Sequence, residues 1–194
     1  MADRITPSEE EFAMVHPAVT RLSALLGVPS SEGDTVDWEE LARTTGLRLP
    51  ADYRDFVTLY GGGELDEYLG ISTPPVAGSP CGHLVDLLDF DPREAPVAPA
   101  GATPGDLEKA WLLPFASSAN GDVVFWHCEA GDPDSWDVVV FRRQSGYGEE
   151  SWLRFESGFA EFLLATLSGT LPNPFSYACF ADQPHSYRHW RQWR

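Results

Sequence analysis

Leu47-Arg48-Leu49-Pro50-Ala51-Asp52-Tyr53-Arg54-Asp55-Phe56-Val57-Thr58-Leu59-Tyr60-Gly61-Gly62-Gly63 reads as one short helix with a defined start and a defined stop. Pro50 suits the first turn, where a missing N–H costs nothing and φ is already near the helical value. Tyr53, Phe56 and Tyr60 recur at i, i+3 and i+7 with Val57 beside them, which gives one aromatic face for a core. Asp52, Arg54 and Asp55 lie mostly off that face. Gly61 stands where a left-handed cap is needed, and Gly62 and Gly63 permit a sharp exit. The chain leaves through Leu65, Leu69 and Ile71, into a sheet.

Upstream, Ser8 to Gly27 has Phe12, Val15, Val19, Leu22 and Leu26 at helical spacing. Pro17 interrupts it, which predicts either a kink or a second helix starting there. Asp37 is placed to cap a helix carrying Trp38, Leu41 and Ala42 inward, with Glu40 completing a capping-box-like pair and Gly46 as the stop. Downstream, Ser72 to Pro80 is a proline-rich loop, His83 to Phe90 suits helix or strand, and Arg93 to Gly105 is a Pro/Ala/Gly-rich mobile connection. From Trp111 the period becomes that of strands: 111–116, 122–128, 136–142 and 151–155, separated by turn formers, predict an antiparallel meander. Ser157 is expected to cap a last helix with Phe159, Phe162, Leu163 and Leu167 on one face, ending at Gly169.

These pieces carry a resemblance. Leu49-Pro50, Tyr53, Phe56 and Tyr60-Gly61-Gly62, led by Trp38-Glu39-Glu40-Leu41 and Gly46, resemble the signature of the SUKH superfamily. Leu113-Pro114-Phe115-Ala116 with Gly121-Asp122 and Phe125-Trp126 resembles its strand pair, and Val138 to Phe141 its next strand. Ser157-Gly158-Phe159-Ala160-Glu161-Phe162-Leu163 is similar to its closing helix, Gly158 departing from the commonest spelling. The likeness spans about residues 36–169, between a helical segment at 1–35 and an aromatic, arginine-rich extension at 170–194. It implies a bacterial immunity protein or a Smi/Knr-type regulator without a toxin partner.

Composition bounds the rest. A chain of 194 residues, 43% hydrophobic with mean hydropathy −0.24, is most simply one globular domain. With no basic-plus-apolar leader and no run of about 18 apolar residues, a cytoplasmic protein is expected. Cys81, Cys128 and Cys179 are odd in number and widely spaced, consistent with reduced thiols. Thirteen basic against thirty acidic residues give −17, a field that repels nucleic acid and anionic lipid and attracts a basic protein. The last twelve residues hold three arginines and no acid. Their Tyr187, Trp190 and Trp193, with Phe175, Tyr177 and Phe180 before them, fit either a wrap packed on the core or an exposed recognition segment.

No constellation specifies chemistry. Cys81, His83, His127 and Cys128 supply zinc-type ligands, but His127 and Cys128 point to opposite faces if they share a strand. His127-x-Glu129 lacks the following Pro-Cys-x-x-Cys of a deaminase. Cys128 has no activating motif. The glycine triplet follows a helix instead of opening one, and acids after it repel phosphate. Neither cofactor nor metal is therefore expected.

The expectation is an α+β single domain: a largely antiparallel curved sheet of about five or six strands with helices packed on one face. Its role is that of a non-catalytic binding protein. Acidic loops would dock on the basic groove of a cognate toxin, a nuclease in many superfamily members. The expected contacts are Glu64, Asp66 and Glu67 after the glycine turn, Asp132, Asp134 and Asp137 in a strand connection, and Tyr68 and Tyr147 as aromatic anchors.

Overall fold

The computed structural model describes residues 15–29, 31–87, 111–129, 131–176 and 184–193. The first half of the expected N-terminal helix, residues 88–90, the connection at 93–105, Tyr177, Cys179 and Phe180 lie outside the described residues.

Helix α1 (Pro17–Leu26) starts at the proline, with the His16 ring accepting from the Ala18 amide. In α2 (Trp38–Thr45), Asp37 caps the Glu40 amide at 2.9 Å and Gly46 closes the helix at φ 73°. The Glu40 side chain does not complete a capping box; it pairs with Arg43. Helix α3 (Ala51–Tyr60) follows Pro50 and buries Tyr53, Phe56, Val57 and Tyr60. Strands β1 (Gly63–Leu65) and β2 (Leu69–Ile71) form a tight hairpin. The meander follows as β3 (Trp111–Ser118), β4 (Val123–Cys128), β5 (Asp137–Phe141) and β6 (Trp152–Phe155). Helix α4 (Phe159–Leu167) comes next, and strand β7 (Tyr187–His189) lies near the C-terminus.

All the strands join one antiparallel sheet in the order β6-β5-β4-β3-β2-β1-β7. Among the described residues seven strands stand where about five or six were expected. The sheet curls without closing, helped by a register shift between Pro114 and Ala116. Helices α1 to α4 pack on one face around the main core, while Leu112, Phe125, Val139, Phe141 and Trp152 form a smaller cluster on the other.

Tyr53 is the centre of the main core. Its ring stands edge-on to Trp126 (4.8 Å) and Phe159 (5.2 Å), tying α3 to β4 and α4. Its hydroxyl donates to the Ser72 carbonyl at 2.6 Å, so the one polar atom of this side chain is satisfied.

Two helix starts are capped by side chains from elsewhere. Asp134 accepts from the Ala51 amide at 2.6 Å, serving α3, whose own N-cap is Pro50. Asp52 in turn accepts from the Ala160 amide at 2.8 Å, serving α4. Ser157 was expected to cap α4; Gly158 occupies the N-cap position, and a Cβ there would sit 3.1 Å from the Asp52 carboxylate. Asp52 is thus buried and not off the helix's inner face.

The glycine triplet does more than end α3. A Cβ on Gly61 would lie 2.5 Å from the His189 ring, and one on Gly63 would lie 2.3 Å from the Arg188 carbonyl. The triplet receives the C-terminal strand at backbone contact distance.

Candidate functional site

The expected contact residues fall into three separate places. Glu64, Asp66, Glu67 and Tyr68 lie on the β1–β2 hairpin, Asp132 and Asp134 on the β4–β5 connection with Asp137 not in it but opening β5, and Tyr147 on the β5–β6 connection. Strands β1 and β5 are four sheet positions apart, about 19 Å at the usual strand spacing. The acids therefore do not form one patch.

On the hairpin, Asp66 and Glu67 adopt left-handed backbone at φ 52° and 53°. Asp66 turns inward: its carboxylate meets the His185 ring at 2.8 Å and the Ser186 amide at 2.7 Å. Glu64 binds Arg188 at 2.8 Å across the β1–β7 pair, and Glu67 is exposed with Arg188 at 3.6 Å. Tyr68 packs on Phe175, its hydroxyl 3.3 Å from Asp122. This end of the sheet is held by the C-terminal segment. Tyr187 stands between Phe56 and Tyr60, and its hydroxyl donates to the Gly61 carbonyl. The buried Asp34 carboxylate accepts from the Gly62 amide and the Trp190 indole, and faces His189 at 3.2 Å.

At the other place, Asp137 pairs with Arg154 at 2.6 Å on the outer face of the sheet. Asp132 and Asp134 are exposed, on the rim of a cleft of about 170 Å³ between α2 and α3. Trp38, Leu41, Leu47 and Leu49 line its apolar part, and Arg48 and Arg54 complete it. These arginines escaped the sequence reading, which followed acids and aromatics; the Leu47-Arg48-Leu49 alternation was their only signal. Tyr147 is fully exposed between Gly146 and Gly148, with Glu149 and Glu150 following.

The thiols sit in apolar surroundings. Burial pushes Cys81 up to about 11 and Cys128 up to about 12, so both are protonated at neutral pH, the opposite of an activated nucleophile. Cys128 faces the main core, while the adjacent His127 faces Glu129 on the other side of the sheet at 3.2 Å. Burial, aided by Arg154, holds His127 below the ordinary imidazole range. Among the described residues, no group of three or more His, Cys, Asp or Glu is placed to hold a metal ion. No helix among them is long and apolar enough to cross a membrane.

A family model described as SMI1 / KNR4 family (SUKH-1) matches residues 33–165, from just before Asp34 into α4. No curated protein and no solved structure matches the chain.

Proposed function

Since the chain belongs to the SMI1 / KNR4 family (SUKH-1), we propose that it is a non-catalytic immunity protein that neutralises a cognate polymorphic toxin by binding it. Family membership is the observation that carries this reading, the superfamily being known for immunity proteins. The net charge of −17 supports a basic partner, a nuclease among the candidates, met in the cytoplasm.

Within the proposed contact set, Glu67, Asp132 and Asp134 offer exposed carboxylates for a basic groove, and Tyr147 is an exposed ring for anchoring. Glu64 and Asp137 already hold arginines and Asp66 already meets the His185 ring, so they shape the surface and add less attraction. Tyr68 borders the hairpin patch.

The test is functional. The chain is purified with its partner from the native cell, and each co-purified protein is expressed alone and with the chain in a naive host. A partner that arrests growth alone and is harmless with the chain is the expected result, with an association rate that falls steeply as salt rises. A stable partner with no effect on growth refutes neutralisation and favours a Smi/Knr-like regulatory role.

A further inference from the structure

Most arginines among the described residues of this acidic protein have carboxylates to meet. Of nine among the described residues, six face an acid: Arg21 Glu161, Arg43 Glu40, Arg142 Glu149, Arg154 Asp137, Arg188 Glu64, and Arg191 Asp34. Arg48, Arg54 and Arg143 pair with none among the described residues. Two of these three, Arg48 and Arg54, line the same cleft between α2 and α3. With thirty acids in the chain, two unpaired guanidinium groups at one site are out of keeping with the rest of the surface.

Arg54 shows the need most directly. Its Nε is sealed from solvent and has no acceptor, while its Nη atoms are not sealed and meet no carboxylate among the described residues, so a visitor can reach the guanidinium at its Nη end. The apolar lining of Trp38, Leu41, Leu47 and Leu49 lowers the local dielectric, which strengthens any ion pair formed there. The two Nη–H groups at the end of a guanidinium form a planar pair that also matches one carboxylate.

Size and rim narrow the occupant. Pockets for small organic ligands run to about 300–1,000 Å³, so a cleft of about 170 Å³ suits a single side chain. Glu39, Asp132 and Asp134 also line it. Asp134 is engaged by the Ala51 amide and Asp132 by the Asp134 amide. These three charges oppose a polyanion, so the Nη end of Arg54, which is not sealed, suits one carboxylate whose neighbours are neutral or basic.

We infer that this cleft receives one glutamate or aspartate side chain of a protein partner, its carboxylate bound by Arg54 and supported by Arg48 at the mouth. The inference rests on the binding role proposed above and adds an acidic anchor to an otherwise basic docking segment.

The test uses the full chain labelled at arginine side-chain nitrogens and blocked tripeptides, acetyl-Gly-Glu-Gly-amide against its Gln and Lys counterparts, followed by NMR. The Arg54 Nε–H signal should move saturably with the Glu peptide, with affinity about tenfold above that for the Gln or Lys peptide. Arg48→Gln, at an exposed position, should weaken the Glu response severalfold, and Arg54→Gln should abolish it as read from the Trp38 indole. Equal responses to the three peptides, no movement of the Arg54 signal, or acetate binding as well as the Glu peptide would each overturn the inference. The titration needs no toxin, so its failure leaves the neutralisation assay standing, and failure of that assay leaves the titration readable.

Discussion

Asp34, Asp52 and Asp122 are each buried, and each accepts at least one hydrogen bond from a distant part of the chain. Asp122 accepts from the Ser176 amide and hydroxyl, the Arg143 amide and the Ser118 hydroxyl. Burial alone would raise its pKa, but these bonds more than offset it and hold the carboxyl below its usual range. Its contribution to stability is therefore present above the unfolded-state value and lost as pH falls through the lower native one. Asp52 goes the other way: burial outweighs the bonds from Ala160 and Tyr53 and raises it. His189, against Asp34, accepts at Nδ1 from the Arg191 amide, which assigns the proton to Nε2 and leaves the ring neutral. Burial, partly countered by Asp34, holds this ring below the ordinary imidazole value. The stability it lends to the C-terminal segment is thus present above about pH 6.5, the unfolded value, and fades as pH falls through the native one. An NMR titration of the His189 ring should give a midpoint below 6.5, and Asp34→Asn should lower it further. A midpoint above that value would contradict the assignment.

At the scale of elements, α3 and α4 take their starts from carboxylates 83 and 108 residues away in sequence. Asp134→Ala should cost about 1 kcal/mol, the usual worth of an N-cap, measured as a lower urea midpoint at unchanged slope. An unchanged midpoint would mean that the cap is idle. Such caps are illegible in one dimension, which is why Ser157 looked like the cap of α4 when Asp52 performs the task. The periodic elements were legible: the aromatic face of α3 and the four meander strands are long enough to display their repeat. Strands β1 and β2 were legible as the run through Leu65, Leu69 and Ile71 into a sheet, but β7 is three residues in a segment read as a wrap or recognition segment, too short for alternation to register, so the strand count came out low. The acids of the candidate site were legible as composition alone. Nothing local distinguishes Asp66, turned onto His185, from Glu67 beside it, which is exposed.

Across the whole molecule, the sheet ends on β6 at one edge and β7 at the other. Strand β7 lies outside the span matched by the family model, and without it β1 would be the edge. Deleting residues 184–194 removes Tyr187 from the core and leaves Asp34 buried with the Gly62 amide but without His189, Trp190 or Arg191. The truncated chain should lose at least about 3 kcal/mol, the scale of an orphaned buried charge. It should also self-associate through the exposed β1 edge, visible by light scattering. A truncated chain that stays monomeric and unfolds at the same denaturant concentration would count against this role of the segment.

The close fit of Gly61 and Gly63 to the last strand limits how this protein can be recombined. A chimera that takes residues 33–165 but supplies a different ending inherits a bare Gly61 and Gly63 and a carboxylate at Asp34 shaped for a strand that is no longer there. Transplanting the scaffold therefore means moving Asp34, the triplet and residues 184–193 as one inseparable cassette.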